Sequence, residues 1–553
     1  MKLTKERKIN MSKFSGYASK TEADYNKHKD EQVVNYMNGI SYTTNPLLEL
    51  EMIAASSIFG EKSFYKKDGV QDKEVNTTTS TFIKACDNAL SYDFKGVLEL
   101  AKKLRYEYNM RLNPALIIVR AVMHEGRKVF NEENKVFMRT CIEEVINIPT
   151  DIWNQFELWM FFNGSKNKLP SILKRAWADK LNSAKKYQLA KYKTKAKIID
   201  LVRICHANSE DINELMKSGT IEVTDEESTW EKLRSEGKSW TEILEGTYIP
   251  HMALLKNLRG IATEVSDNTL KQVLELLENG VEKGKQFPFR YWSALNAIKT
   301  SNSRVSNEGL IEECLNRCLD KAMSNFPKLK GKTICLSDNS GSAWGALTTE
   351  YGSVKVAEID NLSSVMTAIN SDEGYVGIFG DRLEIEPINK RDGVLSQLDK
   401  IQSKYSHNIG GSTENGIWLF LDEAIKKKIH WDNIFIYSDM QAGHGGLYGL
   451  NSRDYSEYIT CGHYIDVLKL VQEYRRKVNP KVNVFSVQTA GYDNSVLPEN
   501  EYRTSILTGW TGKETLYANI LIDIWNRMEN KIDEKVEKNQ KNGFTKIKTS
   551  AKI

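Results

Sequence analysis

Residues Thr333–Trp344 read TICLSDNSGSAW. A short apolar run, Thr333–Leu336, breaks into the polar loop Asp338-Asn339-Ser340-Gly341-Ser342. An apolar strand that ends this way presents its loop at the carboxyl edge of a sheet, where open α/β sheets bind ligands. The Asp-x-Ser-x-Ser spacing supplies one carboxylate and two hydroxyls, all hard oxygen donors of the kind Mg²⁺ takes while keeping several waters. Alone, the pattern is weak and reads more readily as a turn that caps the following helix. Two later junctions change the balance. Ile409–Gly416, IGGSTENG, sets Thr413 in a Gly-rich loop before an apolar helix, and Asn433–Asp439, NIFIYSD, is a strand pattern ending in Asp439.

Asp338, Ser340, Ser342, Thr413 and Asp439, each at a strand end or loop, resemble the metal-ion-dependent adhesion site of von Willebrand factor A domains. The resemblance implies that the serines and the threonine hold a divalent cation directly or through water. The two aspartates would act largely through waters and hydrogen bonds. The implied cation is Mg²⁺, with Mn²⁺ or Ca²⁺ as alternatives.

The segments around this loop alternate. An amphipathic helix is expected over 354–369, a buried strand over 374–380 with 382–388 paired to it or extending it, a helix over 393–401, and a helix over 417–427. Then follow a strand over 433–438, a helix over 464–477, a strand over 483–489 and a last helix over 516–528. Strands of ~6 residues alternating with helices of ~12 make a doubly wound α/β pattern. Met440–Cys461, directly after Asp439, is Gly- and Tyr-rich and longer than the usual ~4–6-residue connection. It reads either as a partner-binding loop at the metal rim or as a surface insertion, and its His444 is not assigned as a ligand.

The first half has a different period. Asn268–Asn279, NTLKQVLELLEN, places Leu270, Val273, Leu274 and Leu277 at helical spacing, with Asp267 or Asn268 as the expected cap and Gly280 beyond the end. Pro114 falls in the first turn of another helix. Strand signals are almost absent from 30 to 325, which fits either stacked helix pairs, an α-solenoid, or an irregular bundle. Lys166–His206 carries twelve basic residues against only Asp179 and Asp200, interleaved with Trp177, Tyr187 and Tyr192. Phosphates attract such lysines and unpaired bases stack on aromatic faces; the plainer alternative is a solvated helix face. In IPHMALLKNLR (Ile249–Arg259), Met252, Leu254, Leu255 and Leu258 are expected to point inward. Lys256 and Arg259 form a basic flank, and His251 is expected to hydrogen-bond at the helix start rather than ligate a metal.

The chain has 553 residues, 77 basic and 73 acidic, net +4. That excludes a global charge excess, so any nucleic-acid site must be a local patch. Seven scattered cysteines without a CxxC pair read as reduced thiols. The basic N-terminal MKLTKERKINMSKF lacks the apolar core of a signal peptide, and no run approaches the ~18 apolar residues of a membrane span. A cytoplasmic location is expected. Beyond Asn539 the lysine-rich tail is expected to be disordered.

In this order, the basic segment with IIDLVRICH, the phrase IPHMALLKNLR, FPFRYWSALNAI (Phe287–Ile298) and the oxygen-donor set resemble the Ro ribonucleoprotein family, a TROVE module followed by a von Willebrand A domain. The likeness runs from about Val33 to Asn526. It implies an extension over 1–30, a TROVE domain over 31–328, an A-type domain over 329–528 and a tail over 529–553. The TROVE domain would be an α-solenoid of HEAT-like repeats closed into a monomeric ring; the A-type domain would be doubly wound and Rossmann-like.

The family likeness also implies a non-enzymatic role. Members bind small structured (Y-like) non-coding RNAs and the single-stranded 3′ ends of misfolded RNAs, and bacterial members work beside exoribonucleases. The implied RNA set is Lys168, Lys174, Arg175, Lys180, Lys191, Arg203 and His206, with Lys256 and Arg259. Many relatives have a histidine where this chain has Ile198. A second reading makes the A-type domain a metal-dependent protein-binding module with the helices as a passive scaffold. The Lys/Asn-rich composition suits a bacterial or phage source.

Overall fold

The computed structural model describes residues 30–34, 40–55, 73–108, 110–165, 168–190, 196–219, 221, 223, 229–284, 286–300, 305, 307–324, 326–345, 354–405, 409–410, 413–442, 466–490, 492, 494–499, 501–508, 512–527 and 529. The chain divides into two compact units. One comprises 45–325 with 347–354; the other comprises 1–44, 326–346 and 355–553.

The first unit is helical, and several of its helices pack on the next or the next but one. Phe94–Tyr106 packs on both Leu112–Met123 and Arg127–Val145, Leu112–Met123 on Pro149–Asn163, and Arg127–Val145 on Ser171–Asn182. Farther along, Asp267–Asn279 packs on Glu308–Ser324. This is the local pattern of stacked helix pairs. In Asp267–Asn279 the four expected apolar side chains are all buried, each contributing about 1.5–3 kcal/mol. The cap is Ser266, one residue earlier than expected, whose Oγ accepts from the Thr269 amide at 3.3 Å.

A buried ion pair ties three of these helices together. Arg105 donates to Asp151 Oδ2 at 3.2 Å and to the Val145 carbonyl, while Arg111 donates to Asp151 Oδ1 at 2.9 Å. The backbone amides of Asn147 and Ile148 donate to the same carboxylate at 3.0 and 3.2 Å. The carboxylate's lone pairs are thus met, the condition under which a buried charge is tolerated.

The second unit holds two sheets. β1 (Gln32–Val34) and β2 (Ile40–Tyr42) form an antiparallel pair. The main sheet contains β3 (Leu329–Asp338), β4 (Ser371–Phe379), β5 (Leu383–Pro387), β6 (Asn433–Ser438), β7 (Asn483–Gln488) and β8 (Thr504–Thr508) in the order β5-β4-β3-β6-β7-β8. All pairings are parallel except β4 with β5. Alternate residues face opposite sides of a strand, and both sides carry helices. Ile334, Leu336, Ile434, Ile436 and Val484 share a core with Trp418, Phe420 and Leu421 of helix Glu414–Lys426 and with Leu468, Val471 and Tyr474 of helix Val467–Lys477. On the other side Tyr437 meets Thr367 of helix Val356–Ile369, and Phe435, Phe485 and Trp525 stack in series toward the helix over 514–527.

Two expectations need correction. The helix over 354–369 was expected to be amphipathic. Val356–Ile369 is instead buried all round from Val356 to Ala368 except at Glu358, because β3, β4 and β6 cover one side and helix Val394–Tyr405 another. Residues 31–44, grouped with the helices in the sequence reading, belong with the sheet: Tyr42 bridges Ser495 and enters the sheet's core. β8 carried no expectation at all.

Candidate metal centre and nucleic-acid interface

The strand order creates the first site. β3 pairs with β4 on one side and β6 on the other, so the connections leaving β3 and β6 diverge and open a crevice at their carboxyl ends. Asp338 is the last residue of β3, and Asp439 is the first beyond β6. Register pairs Ser337 with Tyr437, which brings the two loops side by side.

Each aspartate folds its own loop. Asp338 Oδ1 accepts from the Ser340 amide at 2.9 Å, and Asp439 Oδ1 accepts from the Gln441 amide at 2.9 Å. Ser438 Oγ donates to Asp338 Oδ2 and itself accepts from the Met440 amide at 2.9 Å, with Met440 held in the left-handed region at φ 62°. Ser340 Oγ lies 3.2 Å from Ser342 Oγ, and Thr413 Oγ1 donates to Ser340 Oγ at 3.2 Å. Thr413 sits at the N-cap of helix Glu414–Lys426, yet its hydroxyl does not cap that helix and is spent on the serine instead. Gly416 brings that helix onto β4: a Cβ there would lie 2.0 Å from Phe379 Cβ. All five residues named from the sequence therefore meet at one place. Asp338, Ser340, Thr413 and Asp439 are buried, and Ser342 is exposed at the rim.

The electrostatics ask for a cation. Burial and the neighbouring Asp439 charge push the Asp338 carboxyl up to about 7, against hydrogen bonds from Ser340 and Ser438 that favour its charge. Burial likewise raises Asp439, opposed by its bonds to Gln441 and Ser342. No described Lys or Arg pairs with either carboxylate. Two buried carboxylates without a basic partner, beside three hydroxyls, fit a hard divalent ion. Among the described residues no three His, Cys, Asp or Glu side chains converge as a metal group, so the donor set is hydroxyl-rich.

A supporting layer was not legible in the sequence. Asn361, on helix Val356–Ile369, accepts from Ser337 Oγ at 2.7 Å and exchanges amide hydrogen bonds with Asn339 at 2.9 and 3.0 Å. This amide pair fixes the variable position of the Asp-x-Ser-x-Ser loop. Asp360 lies beside Asn361, fully buried, and feels the charges of Asp338 and Asp439.

The second candidate site lies in the helical unit. On helix Ser171–Asn182, Ile172, Leu173, Ala176, Trp177 and Leu181 are buried, which leaves Arg175 exposed and Lys174 and Lys180 at the margins. Lys168, Arg203, His206, Lys256 and Arg259 are exposed; Lys191 lies outside the described residues. Lys168 and His206 adopt left-handed φ of 65° and 59° at their helix boundaries. Lys168, Lys174, Arg175, Lys180, Arg203, Lys256 and Arg259 form no ion pair among the described residues. Elsewhere in the unit many cations are paired: Arg120 with Asp87, Lys102 with Glu144, Arg234 with Glu264, Arg317 with Glu278. Asp179, one of the two acids in the basic segment, is held by Arg139.

One aromatic expectation fails. Trp177 is fully buried, donates to Gln155 Oε1 at 2.8 Å and packs edge-on to Phe156, so it is a core residue and offers no face for a base. Tyr187 is 40 % exposed and keeps that possibility; Tyr192 lies outside the described residues. His251 behaves as expected, with Nε2 2.8 Å from Tyr291 Oη at the helix start, and burial lowers its pKa. His444 and most of the loop after Asp439 lie outside the described residues, as does the tail beyond Glu529. Glu529 itself is buried against Tyr502 and Arg503. The six described cysteines are free and buried, and no described helix is long and apolar enough to cross a membrane.

The TROVE domain family model matches residues 216–335, a stretch that includes IPHMALLKNLR, FPFRYWSALNAI and the start of β3. The crystal structure of the Deinococcus radiodurans RO (RSR) protein is similar to this chain with a TM-score of 0.51, covering 87 % of this chain and 100 % of that one. The chain is thus similar to the TROVE family over 216–335 and to a Ro protein in fold. Its likeness to the Deinococcus Ro protein is one of fold, since identity is 13 %. No curated protein matches it. The stretch matched by the TROVE model excludes the basic segment 166–206, so the residues there stand on their own geometry.

Proposed function

We propose that this chain is a non-catalytic RNA-binding protein whose helical unit holds RNA and whose sheet unit holds a divalent cation. The observation that carries the RNA reading is the set of seven cations left without acidic partners in a unit where other cations are paired. Phosphates supply the missing charge, and binding follows counterion release. The ligand class is structured small RNA of the Y type together with single-stranded 3′ ends, the latter entering a ring closed from the helical repeats. Ile198 is packed in the core at 2 % exposure, so the position where many relatives carry a histidine offers no surface side chain to RNA here. Y-type RNA is then held mainly by Lys168, Lys174, Arg175, Lys180, Arg203 and His206, with Lys191, and by Lys256 and Arg259.

The cation is Mg²⁺, held by Ser340, Ser342 and Thr413, with Asp338 and Asp439 supplying charge and orientation. When bound, it would supply a Lewis-acid site for an oxygen of a partner, such as an acidic side chain of an exoribonuclease. The protein's own groups set that site: Ser438 and the Ser340 amide fix Asp338, and Thr413 fixes Ser340.

Sequencing the RNA that co-purifies with the chain tests the proposal. Enrichment of small structured RNAs with unpaired 3′ ends is the expected result. A preparation free of RNA, with a partner protein released by chelator, would favour the sheet unit as the functional part and the helices as scaffold.

A further inference from the structure

The metal-site residues account for two buried carboxylates, but there is a third. Asp360 stands in the second turn of helix Val356–Ile369, with 0 % exposure. That helix packs against β3 and β6, whose ends carry Asp338 and Asp439. Neither Asp360 oxygen has a hydrogen-bond partner, and no described Lys or Arg pairs with it. Thr489, directly beyond β7, stands beside it, and its buried hydroxyl is the one neighbouring donor that favours the Asp360 charge. Ser364, one helical turn from Asp360, adds a further buried, unpartnered oxygen.

A carboxylate in this position faces a large penalty. Burying an ionised group without donors costs several kcal/mol or more, so it either takes a proton or meets donors supplied from outside the chain. The cluster is not a direct extension of the ligand set, because the three aspartates do not converge as one metal group. It sits one layer out, on the side where the charges of Asp338 and Asp439 are felt. Mg²⁺ dehydrates reluctantly and keeps several waters. Waters on a divalent ion are strong donors, and a carboxylate one layer out is the acceptor that holds them.

Building on the divalent-cation reading of the Asp338 site, we propose that Asp360 is the outer-layer carboxylate of that site: it accepts hydrogen bonds from metal-bound water, assisted by the Thr489 hydroxyl, and so raises the site's affinity. It is a positioning residue. It orients the cation's water shell, and thereby the site offered to a partner's oxygen, without touching the ion. Nothing in the Asp-x-Ser-x-Ser pattern announces it, because its place in the chain is an ordinary helix interior.

The test uses the full chain and Mn²⁺ as the probe. Affinity and stoichiometry are measured by calorimetry, and thermal unfolding is followed in chelator and in excess metal, for Asp360→Asn, Thr489→Val and Asp338→Asn. Outer-layer partners of metal sites typically set affinity by 10–100-fold. Asp360→Asn should therefore weaken Mn²⁺ by about 10–100-fold at unchanged stoichiometry, and Thr489→Val should weaken it less. In chelator, Asp360→Asn should melt at or above the wild-type temperature, since an unpaired buried charge has gone. A purely structural role moves both readouts down together. Wild-type Mn²⁺ affinity in Asp360→Asn, a lower melting temperature in chelator, or failure of this isosteric variant to fold each overturns the inference. Loss of one Mn²⁺ per chain in Asp360→Asn also overturns it, by making Asp360 a direct ligand of a second ion. If Asp338→Asn too binds Mn²⁺ like wild type, the cation reading itself fails.

Discussion

Replacing Asp338 by Asn should stabilise the metal-free protein, and the gain should depend on pH. Asp338 is buried beside Asp439, and its carboxyl is pushed up to about 7 from an ordinary value near 4. Because the folded-state value lies above the unfolded one, the folded state binds more protons between these limits. Its stability in chelator therefore falls as pH rises from about 4 through about 7. Three pH units at about 1.36 kcal/mol each set a ceiling of roughly 4 kcal/mol at pH 8. Proton sharing with Asp439, and the loss of one of two accepting oxygens toward Ser438 and Ser340, lower the net gain to about 1–3 kcal/mol. A domain of 150–250 residues converts this at about 2–4 °C per kcal/mol. Thermal unfolding of the sheet unit, followed in chelator at pH 5 and pH 8, should show Asp338→Asn several degrees above wild type at pH 8 and near it at pH 5. Millimolar Mg²⁺ should raise wild type alone, by RT ln(1 + [L]/Kd). An apo wild type that is more stable at pH 8 than at pH 5, or a variant equally destabilised at both, would refute the reasoning.

Further outcomes follow from the packing. Asp151→Ala strands Arg105 and two backbone amides inside the helical unit, so its denaturation midpoint should fall by the equivalent of about 3–5 kcal/mol; a change below about 1 kcal/mol would mean water already reaches that pair. Gly416→Ala places a methyl group 2.0 Å from Phe379 Cβ, where neither backbone can yield freely. It should cost about 1–3 kcal/mol and, by moving Thr413, weaken Mn²⁺ binding measured by calorimetry; wild-type affinity would uncouple the helix from the site.

How much was legible in the residues depended on whether a segment speaks for itself. Asn433–Ser438 is β-branched and aromatic and ends at a polar junction, and β6 occupies those residues. The periodic leucines of 268–279 gave their buried face correctly, because one side of that helix meets solvent. Helix Val356–Ile369 gave no such contrast: it is enclosed on both sides, so its polar residues read as an outer face when they are buried beside the metal loop. Asp360 and Asn361 were missed for that reason. β1, β2 and β8 have only three to five residues each and are set by pairing with distant chain, as when Tyr42 meets Ser495, which no local pattern records. The oxygen-donor set was found because its order along the chain follows the strand ends. Trp177 was misassigned because its spacing among lysines says nothing about which side of the helix it occupies; its hydrogen bond to Gln155 decides that.

The most direct measurement is the salt dependence of RNA binding to the wild-type chain and to Lys174→Glu/Arg175→Glu, using the RNA that co-purifies and an oligonucleotide with a single-stranded 3′ end. Each phosphate contact on a single strand contributes about 0.7 to the slope of log K against log salt. The double variant should bind far more weakly, with a slope shallower by about 1.4 or more. Affinity and slope equal to wild type would contradict the claim that these unpaired cations hold RNA.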